Sequence, residues 1–563
     1  MMEPPLIVQT DGAVLLETQH PQYEPARERL QQFAELEKSP EYVHFYRITP
    51  ISIWNAAALG ETADAVLGWL DQQARFPVAA EVKERIAEWF RRYGLLRLEK
   101  ADDGRLRLTC EQPELLAELV GRRSLASLVE TAADGTVLVA DDRRGEIKRA
   151  LVKLGYPVED RAGYRTGGSL PFALATGQDF TLRDYQRSAA EKFHQGGSEQ
   201  GGCGVVVLPC GAGKTVVGIA AMHLLQTNTL VLTTNTVAVR QWRREILAKT
   251  DLTADQVGEY SGEHKEIRPV TVATYQILTH RRGKLAEFTH LDLFDKGGFG
   301  LIIYDEVHLL PAPVFRATAG IQAHRRLGLT ATLVREDGRQ DEVFSLIGPK
   351  RYELPWKQLE QQGFLAAARC FEVRVPLGPD RQQRYAAATP RNQIRIAADN
   401  EHKADCVATL LRRHARDRVL IIGQYLDQLR SIAALFGLPL ITGQTANAER
   451  DRLYSAFRSG EVPHLIVSKV GNFAVDLPDA NVAIQISGTF GSRQEEAQRL
   501  GRVLRPKRDG GPATFYTLVS EGTREQEFAN KRQLFLAEQG YAYEIVTAAE
   551  LPAAGDWDRE VRA

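Results

Sequence analysis

An acidic pair follows an apolar run in the middle of the chain. The run GLII (300–303) leads through Tyr304 into Asp305 and Glu306, and His308 comes soon after. Two adjacent carboxylates at the exit of a strand with a buried pattern repel each other unless a cation lies beside them. The pair therefore indicates a cation-assisted phosphoryl-transfer site, provided that the chain also carries a phosphate-binding loop.

A glycine-rich loop upstream of the pair has that character. The segment LPCGAGKTVVGIA (208–220) begins at the end of an apolar run and continues into a helical pattern. It contains the core G-x-G-K-[ST], although Leu208 breaks the longer form G-x-x-x-x-G-K-[ST]. The glycines let backbone N–H groups approach phosphate, and a lysine adds positive charge. The predicted nucleotide contacts are Pro209, Cys210, Gly211, Ala212, Gly213, Lys214 and Thr215.

The loop gives the acidic pair a function. Asp305 is expected to hold a magnesium ion through a water, together with the hydroxyl of Thr215. Glu306 is expected to polarise the attacking water, and His308 to report the state of the γ-phosphate to the rest of the protein. An Asp-Glu pair by itself is usually solvated loop charge, so this interpretation depends on the phosphate loop. ATP and Mg²⁺ are the predicted cofactors.

Length and composition bound the class of protein. The chain has 563 residues, which is enough for three or four domains. Hydrophobic residues make up 44% and charged residues 25%, as in ordinary globular proteins. Lys plus Arg number 71 and Asp plus Glu 72, which argues against a histone-like coating protein. A local basic groove for nucleic acid remains compatible with this balance.

The cysteines and the N-terminus indicate a soluble, cytoplasmic protein. There are five cysteines and no CxxC motif, so we predict no disulfide framework, zinc site or cysteine-held iron–sulfur cluster. The opening residues carry acids early and lack a long apolar stretch, unlike a signal peptide. No run of about 18 apolar residues predicts a membrane span.

The first part of the chain has a helical pattern. Helical spacing extends over 21–40, 51–60, 61–73 and 79–94, and two alternating runs around Asp-Gly predict a hairpin across 95–110. Helices followed by a hairpin are similar to a winged helix, which often contacts DNA, but a plain structural domain explains them equally well. A smaller unit follows, with a strand pattern at 136–140 and a basic helix pattern at 143–155.

From about residue 171 apolar strand patterns alternate with helical ones. This alternation predicts parallel sheets covered on both faces, and it occurs twice, so we expect two tandem α/β lobes. A segment with prolines and a glycine, 348–365, is the predicted hinge. The predicted strands lie at 204–210, 229–234, 270–275, 300–306 and 326–332, and then at 418–425, 439–443, 464–469, 482–487 and 513–519.

Several motifs then resemble those of superfamily 2 helicases. LTAT (329–332), with Thr330 and Thr332, is similar to the motif that links hydrolysis to motion. FTLRDYQRSAAEKF (180–193) resembles the adenine-recognition segment, with Arg183 near the base-reading Gln186. QEEAQRLGRVLRPK (494–507) matches Q-x-x-G-R-x-x-R. In this resemblance Arg502 and Arg505 stabilise charge during phosphoryl transfer and Gln498 contacts the nucleotide or its water.

The resemblance narrows to XPB-type helicases. The triplet Arg335, Glu336, Asp337 directly after LTAT is characteristic of that family, and 305–316 and 468–507 are similar to it too. The resemblance covers 180–540 nearly throughout and extends to the N-terminal region. XPB relatives can carry a basic thumb insertion in the second lobe, and the only candidate here, 377–395, is short.

The resemblance implies a fold and a domain order. The fold class is α/β, with two tandem RecA-like parallel-sheet motor lobes preceded by a mostly helical winged-helix-like region and a small α+β domain. The predicted domains are a helical N-terminal domain at 1–99, a damage-recognition-like domain at 100–170, an ATP-binding first lobe at 171–355, a second lobe at 356–545 and a tail at 546–563.

DNA contacts in such motors go mainly to backbone phosphate. Small hydroxyl, amide and basic groups at the expected motif positions suit this task. Trp242 is more consistent with the core than with a stacking platform. The predicted DNA contacts are Arg240, Arg243, Thr274, Arg335, Glu336, Asp337, Thr442 and Lys469.

Three functions are open from the sequence. The first is an ATP-dependent 3′→5′ DNA helicase that acts on duplex or forked DNA in repair or transcription-linked opening. The second is a double-strand translocase that does not separate strands, and the third is an ATP-gated clamp or assembly subunit; an RNA helicase is a further variant. We expect a monomer, a nuclease or repair protein as partner, and no membrane association.

Overall fold

The computed structural model describes residues 3–39, 42–164, 166–175, 180–198, 201–278, 280, 290, 293–310, 324–331, 340–468, 480–488, 513–538, 541 and 543–551. The chain divides into two compact units. One consists of Met1–Glu35, Tyr42–Leu208 and Gly213–Leu354, and the other of Leu36–Glu41, Pro209–Ala212 and Pro355–Ala563. None of the helices in the described part of the chain has the length and apolarity of a membrane span.

The N-terminal region combines a sheet with helices. Its sheet has the order β1-β2-β4-β3 and its strands are β1 (Leu6–Val8), β2 (Ala13–Glu17), β3 (Glu35–Lys38) and β4 (Val43–Arg47). The helices are α1 (Tyr23–Leu30), α2 (Pro50–Ala58), α3 (Ala63–Gln73) and α4 (Ala80–Arg92). Helices α2 to α4 confirm the helical patterns at 51–60, 61–73 and 79–94.

The helix predicted across 21–40 is wrong beyond Leu30. Phe33 and Ala34 are buried and continue the helical period, which made the longer helix plausible. From Glu35 the backbone is instead a strand, in which Leu36 is buried and Glu37 is exposed. Pairing within the sheet thus overrides the local helical preference of these residues.

The second sheet contains the predicted hairpin. Its order is β7-β8-β6-β5-β9, with strands β5 (Leu96–Lys100), β6 (Leu106–Cys110), β7 (Glu130–Thr131), β8 (Val137–Val139) and β9 (Val158–Asp160). The helices α5 (Pro113–Gly121), α6 (Arg123–Ala126) and α7 (Arg144–Lys153) accompany it. Strands β5 and β6 pair antiparallel, which confirms the hairpin.

The hairpin therefore belongs to a five-stranded sheet. Leu96, Leu98, Leu106 and Leu108 pack in one core with Ile147 of α7. This differs from the winged-helix-like arrangement predicted for residues 1–99, because the hairpin completes the following α+β unit. The predicted boundary at 99/100 falls within β5.

The first lobe has a parallel sheet of order β12-β13-β11-β14-β15-β10-β16. Its strands are β10 (Cys203–Val207), β11 (Thr229–Thr233), β12 (Val257–Tyr260), β13 (Val270–Thr274), β14 (Leu301–Asp305), β15 (Arg325–Thr330) and β16 (Lys350–Glu353). Its described helices are α8 (Asp184–His194), α9 (Lys214–Leu225), α10 (Thr236–Lys249), α11 (Tyr275–Leu278), α12 (Leu293–Lys296) and α13 (Gln340–Leu346).

The register of this sheet brings three strand ends together. Val207 of β10 is opposite Thr330 of β15, and Asp305 of β14 is opposite Leu329. All of these pairings are parallel, so the carboxyl ends lie along one edge, where ligands bind in open α/β sheets. The strands are almost fully buried because helices cover both faces.

The second lobe has a parallel sheet of order β19-β20-β18-β21-β22-β17-β23. Its strands are β17 (Ala368–Val375), β18 (Val419–Gly423), β19 (Leu440–Ile441), β20 (His464–Ser468), β21 (Val482–Gln485), β22 (Ala513–Ser520) and β23 (Tyr543–Thr547). Its described helices are α14 (Trp356–Gln361), α15 (Pro379–Ala386), α16 (Pro390–Ala398), α17 (His402–Arg413), α18 (Leu426–Phe436), α19 (Asn447–Ser459) and α20 (Arg524–Glu538). The two parallel sheets confirm the predicted pair of α/β lobes.

Candidate nucleotide-hydrolysis site

The phosphate loop links β10 to α9. Gly211 has φ +83° and Gly213, which precedes the first turn of α9, has φ +80°. Glycine adopts this left-handed region without the steric cost that a Cβ brings. Lys214 and Thr215 consequently begin the helix, and the backbone N–H groups of a helix N-terminus favour phosphate. The sequence prediction of a strand–loop–helix phosphate site has the expected local geometry.

The acidic pair is built by a bend at the end of β14. Asp305 is the last residue of that strand, and Glu306 has φ +52°, a conformation that residues other than glycine rarely adopt. A short 3-10 turn, Val307–Leu309, follows directly. Because of this bend, the side chains of Asp305 and Glu306 lie in different surroundings beyond the end of the strand.

Lys214 and Glu306 face each other at this edge. The Nζ of Lys214 lies 3.6 Å from Oε1 of Glu306, and both side chains are largely buried. The second oxygen, Oε2, lies 3.7 Å from Nδ1 of His308 and makes no hydrogen bond within the described part of the chain. A buried carboxylate oxygen without a partner in the protein keeps its capacity to accept a hydrogen bond from a water.

Asp305 is held from two sides. Its Oδ2 accepts a hydrogen bond from the indole Nε1 of Trp242 at 2.8 Å, and its backbone carbonyl accepts one from the hydroxyl of Tyr275 at 2.8 Å. Burial, followed by the negative charge of Glu306, raises the pKa of Asp305 to about 6, against the opposing effects of Trp242 and Lys214. A carboxylate whose charge is unfavourable in these buried surroundings gains stability when a cation joins it.

The donor set at this edge suits a hard cation. The hydroxyl of Thr215 and the carboxylate of Asp305 supply oxygen ligands, which Mg²⁺ prefers. No group of three or more His, Cys, Asp or Glu side chains suited to a metal occurs among the described residues. Magnesium in phosphate-loop sites needs no such group, because phosphates and waters complete its shell.

His308 connects the acidic pair to the next strand. Its Nδ1 lies 2.6 Å from the hydroxyl of Thr330, and both residues are buried. Thr330 ends β15, and its carbonyl accepts a hydrogen bond from the N–H of Leu208. The coupling residues predicted from the sequence therefore include one pair, His308 and Thr330, in direct contact.

The predicted adenine-reading residues lie at the start of α8. The side chain of Gln186 accepts a hydrogen bond from the N–H of Arg183 at 3.1 Å. Gln186 is buried, and a Cβ placed on Gly213 would come within 2.5 Å of its Nε2. Gln186 thus lies against the start of α9, beside Lys214. Arg183 donates from Nη1 to the hydroxyl of Tyr185.

The predicted DNA contacts of the first lobe differ in exposure. Arg240 is exposed on α10 and forms an ion pair with Glu263 at 2.8 Å. Arg243 is partly buried and donates from Nε to the carbonyl of Val257 at 3.2 Å. Thr274, at the end of β13, is 3% exposed. Of these three side chains, Arg240 is the one on an open surface.

Thr442 of the second lobe lies just after β19. Its N–H donates to the hydroxyl of Thr445, and its own hydroxyl accepts from the N–H of Gln444. The remaining predicted site residues lie outside the described residues: Thr332, Arg335, Glu336, Asp337, Lys469, Gln498, Arg502 and Arg505.

Two site residues were missed by the sequence analysis. Trp242 was assigned to the core, where it is, but its hydrogen bond to Asp305 was not foreseen. Tyr275 was not singled out at all. Both contacts span long stretches of sequence, 63 residues in the first case and 30 in the second, so no local spacing signals them.

Three family models match the chain. Residues 359–556 match the ERCC3/RAD25/XPB C-terminal helicase model, and residues 179–335 match the model of the type III restriction enzyme res subunit. Residues 6–141 match a model described as a helicase conserved C-terminal domain. The matches at 179–335 and 359–556 fall on the two parallel-sheet lobes.

Several curated relatives resemble the chain over nearly its whole length. The DNA 3'-5' helicase XPB of Kineococcus radiotolerans is 52% identical over 98% of both chains. That of Mycobacterium tuberculosis is 52% identical over 98% of this chain and 99% of its own. The general transcription and DNA repair factor IIH helicase/translocase subunit XPB/SSL2 of Saccharomyces cerevisiae is 31% identical over 96% of this chain and 71% of its own. The chain therefore belongs to the XPB family of DNA helicases.

Proposed function

We propose that the protein is an ATP-dependent 3′→5′ DNA helicase that couples ATP hydrolysis to movement on, or opening of, duplex or forked DNA in repair or transcription-linked processes. One observation carries the hydrolytic part of the proposal. Lys214 and the pair Asp305 and Glu306 meet at the carboxyl edge of one sheet, with 3.6 Å between Nζ of Lys214 and Oε1 of Glu306. A lysine for phosphate and a base for water are thus adjacent.

Each of these residues has its own task in the proposed reaction. Lys214 holds the β- and γ-phosphates as a point charge, and the N–H groups at the start of α9 hold their oxygens. Glu306 orients the attacking water and accepts its proton at Oε2. Thr215 and Asp305 would hold Mg²⁺, and the bound cation would supply positive charge for the phosphates. Arg183 and Gln186 position the adenine.

Residues of the second lobe complete the proposed reaction. Arg502 and Arg505 supply positive charge for the transferred phosphoryl group, and Gln498 contacts the nucleotide or its water; the resemblance to the helicase motif supports this. Thr332 joins Thr330 and His308 in coupling hydrolysis to motion.

DNA is proposed to be held through its backbone. Arg240 supports this most directly, since it is exposed on α10. Arg243, Thr274 and Thr442 are proposed to contact DNA because of their motif positions. Arg243 and Thr442 form hydrogen bonds within the protein, and Thr274 is buried. Lys469 and the triplet Arg335, Glu336, Asp337 are proposed to contact or open DNA on the strength of the family motif.

A double-strand translocase is the second candidate function. The candidate thumb at 377–395 consists of α15 and the larger part of α16, of 8 and 9 residues, and is small for a wedge between strands. Strand displacement measured beside triplex displacement on the same preparation separates the two functions. An ATP-gated clamp would turn over ATP slowly, with no acceleration by DNA.

The setting of the protein follows from this function. We propose that it acts in the cytoplasm on chromosomal DNA, as a monomer, with a nuclease or another repair protein as partner. The relative from Saccharomyces cerevisiae is by its name a subunit of a general transcription and DNA repair factor, which supports a partner-dependent role.

The first test is the ATPase rate with matched duplex DNA, single-stranded DNA, forked DNA and RNA. We expect DNA, and not RNA, to stimulate the ATPase rate. In Lys214→Ala the DNA-stimulated rate should fall at least about 100-fold, because the variant lacks the positive charge that pairs with the phosphates. Lys83→Ala, which removes an exposed ion pair with Asp71, is the matched control. Full DNA-stimulated activity in Lys214→Ala would overturn the proposal.

A further inference from the structure

The side chain of Trp242 has one hydrogen-bond donor, and it donates to a residue of the proposed hydrolytic site. The side chain is 1% exposed, and its Nε1 lies 2.8 Å from Oδ2 of Asp305. An indole has no other polar atom, and a buried N–H needs a partner. A purely structural tryptophan could donate to any nearby carbonyl, as Trp54 does to the carbonyl of Trp89. Trp242 instead donates to the carboxylate proposed to hold the cation.

The indole ring is seated in one position. A Cβ on Gly218 of α9 would lie 2.5 Å from the Cη2 atom of Trp242 and 3.4 Å from a methyl carbon of Leu329. The ring therefore fills the space that Gly218 leaves open and packs directly against α9. Because the ring is buried and closely packed, its hydrogen bond helps to set the direction of the Asp305 carboxylate.

Trp242 belongs to a helix with a clear inner and outer face. Along α10 the buried positions are Val239, Trp242 and Ile246. The exposed positions are Val237, Arg240, Gln241, Arg244 and Ala248. The side chain of Asn235 caps this helix by accepting the N–H of Ala238. The helix is thus a rigid element with two arginines and a glutamine outside and a link to Asp305 inside.

The outer face of α10 has the composition of a backbone-phosphate contact. Arg240 and Arg244 are four positions apart, so they lie on the same side of the helix. Arg244 was not among the predicted DNA contacts, whereas the partly buried Arg243 was. A DNA strand held by Arg240 and Arg244 would press on the helix that carries Trp242.

We propose that Trp242 is a positioning residue that orients Asp305 and transmits the position of α10, and hence the presence of DNA, to the hydrolytic site. The inference rests on the proposed function, since it presupposes that Asp305 holds the cation for ATP hydrolysis. It adds a route by which DNA contacts on one face of a helix change the rate of chemistry on the other.

The test removes the N–H in two variants, of which one also keeps the volume of the side chain. Trp242→Phe retains an aromatic ring, and benzothienylalanine at position 242 replaces only the N–H by sulfur at nearly unchanged volume. Trp54→Phe is the control, because Trp54 is equally buried and donates to a backbone carbonyl. Each protein is measured for melting temperature, Kd for a fluorescent ADP with and without Mg²⁺, Kd for duplex DNA, and ATPase with and without DNA.

We expect Trp242→Phe to lower the DNA-stimulated kcat about 10-fold, while KM for ATP and the Kd for DNA change less than about twofold. The stimulation by DNA should fall more than the basal rate, and Mg²⁺ should tighten ADP binding less than in the wild type. The benzothienyl variant should reproduce these changes at an unchanged melting temperature, and Trp54→Phe should show none of them.

Two results would overturn the inference. One is a benzothienyl variant whose ATPase is stimulated by DNA as strongly as that of the wild type. That result would show that the N–H of Trp242 has no role in the response to DNA. The other is a loss of kcat in Trp54→Phe equal to that in Trp242→Phe, which would indicate general loss of packing. A wild-type protein without DNA-stimulated ATPase would instead contradict the proposed function itself.

Discussion

The Nδ1 atom of His308 lies 2.6 Å from the hydroxyl oxygen of Thr330. His308 follows the acidic pair at the end of β14, and Thr330 ends β15. Oε2 of Glu306 is 3.7 Å from the same Nδ1 atom. A change at the γ-phosphate that moved Glu306 would therefore reach a second strand end through one imidazole ring. These contacts support the proposal that His308 and Thr330 couple hydrolysis to motion, which can be tested.

Thr330→Val should separate hydrolysis from motion. The substitution keeps the shape of the side chain and removes the hydroxyl that His308 contacts. We expect the DNA-stimulated ATPase to fall less than about threefold and triplex displacement per ATP to fall about 10-fold, since only the link between the two is lost. Both quantities are measured on the same preparation.

The pair should behave as a unit. The double variant His308→Ala, Thr330→Val should lose no more displacement per ATP than the more severe single variant. The effects of substituting two residues in contact are not additive. Thr229→Val is a matched control: Thr229 is also buried in the sheet, and its hydroxyl donates to the carbonyl of Thr227. Equal losses of ATPase and displacement in Thr330→Val would contradict the coupling role.

Gln186→Ala should reduce the preference for ATP over GTP. The amide of Gln186 lies against the start of α9 and is oriented by the N–H of Arg183. We expect KM for ATP to rise about 10-fold and KM for GTP to change little, because the lost contacts are to the base. Steady-state kinetics with both nucleotides measure this.

The control for Gln186 is another buried glutamine. Gln428→Ala in the second lobe removes a side chain that donates to the carbonyl of Ala398. It should leave both KM values unchanged. If Gln186→Ala raised KM equally for ATP and GTP, the residue would support the phosphate loop and not read the base.

The pKa of Asp305 predicts how pH affects the stability of the metal-free protein. Its pKa rises from 3.8 in the unfolded chain to about 6 in the folded one. Between pH 3.8 and about 6 the folded state binds more protons at Asp305 than the unfolded state does. The free energy of unfolding therefore falls as the pH rises through this range. The stabilisation by the protonated carboxyl is complete below pH 3.8 and is lost as the pH rises through 6. Above that pH the charged carboxylate lowers the free energy of unfolding by on the order of 1–3 kcal/mol, relative to a carboxylate with an unshifted pKa.

Asp305→Asn should therefore stabilise the metal-free protein at neutral pH. Its melting temperature should exceed that of the wild type at pH 7.5, and the difference should shrink steadily as the pH falls towards 4. Mg²⁺ with ADP should raise the melting temperature of the wild type more than that of the variant. Calorimetry in chelator checks this, with exposed Asp71→Asn as the control. A difference that does not vary with pH would contradict the prediction.

The parts of this site that are local in sequence could be predicted, and the parts that are not local could not. The apolar patterns at 204–210 and 300–306 predicted strands followed by a phosphate loop and an acidic pair, and the observed strands end at Val207 and Asp305. The contact of Trp242 with Asp305 joins residues 63 positions apart, and no spacing rule encodes it.

Two of the strands that the sequence analysis did not predict have physical explanations too. β16, with the sequence KRYE, was included in the hinge because its charged residues hide the strand pattern; it is an edge strand, where one side need not be apolar. β3 was assigned to a helix because the buried positions before it keep a helical period. In both cases the sheet supplies the pairing that decides the conformation, and a single sequence does not show it.

A buried ion pair in the second lobe gives the last prediction. Nζ of Lys403, on α17, lies 2.8 Å from Oε2 and 3.0 Å from Oε1 of Glu525, and it also donates to the carbonyl of Ile486 at 3.0 Å. Glu525 in turn accepts the N–H of Ser520. The pair ties α17 to the carboxyl ends of β21 and β22, and the arginine-containing segment 494–507 lies between these two strands in the sequence.

Lys403→Met should destabilise the second lobe by about 3–5 kcal/mol, because it leaves the charge of Glu525 buried without compensation. The double variant Lys403→Met, Glu525→Leu should recover much of this loss, since a well-packed apolar pair replaces the ionic one. Denaturant unfolding measures both, and Arg452→Met, which breaks an exposed pair with Glu449, should leave the unfolding midpoint unchanged. A double variant no more stable than the single one would mean that the contacts to Ile486 and Ser520, rather than the charge, hold these elements together.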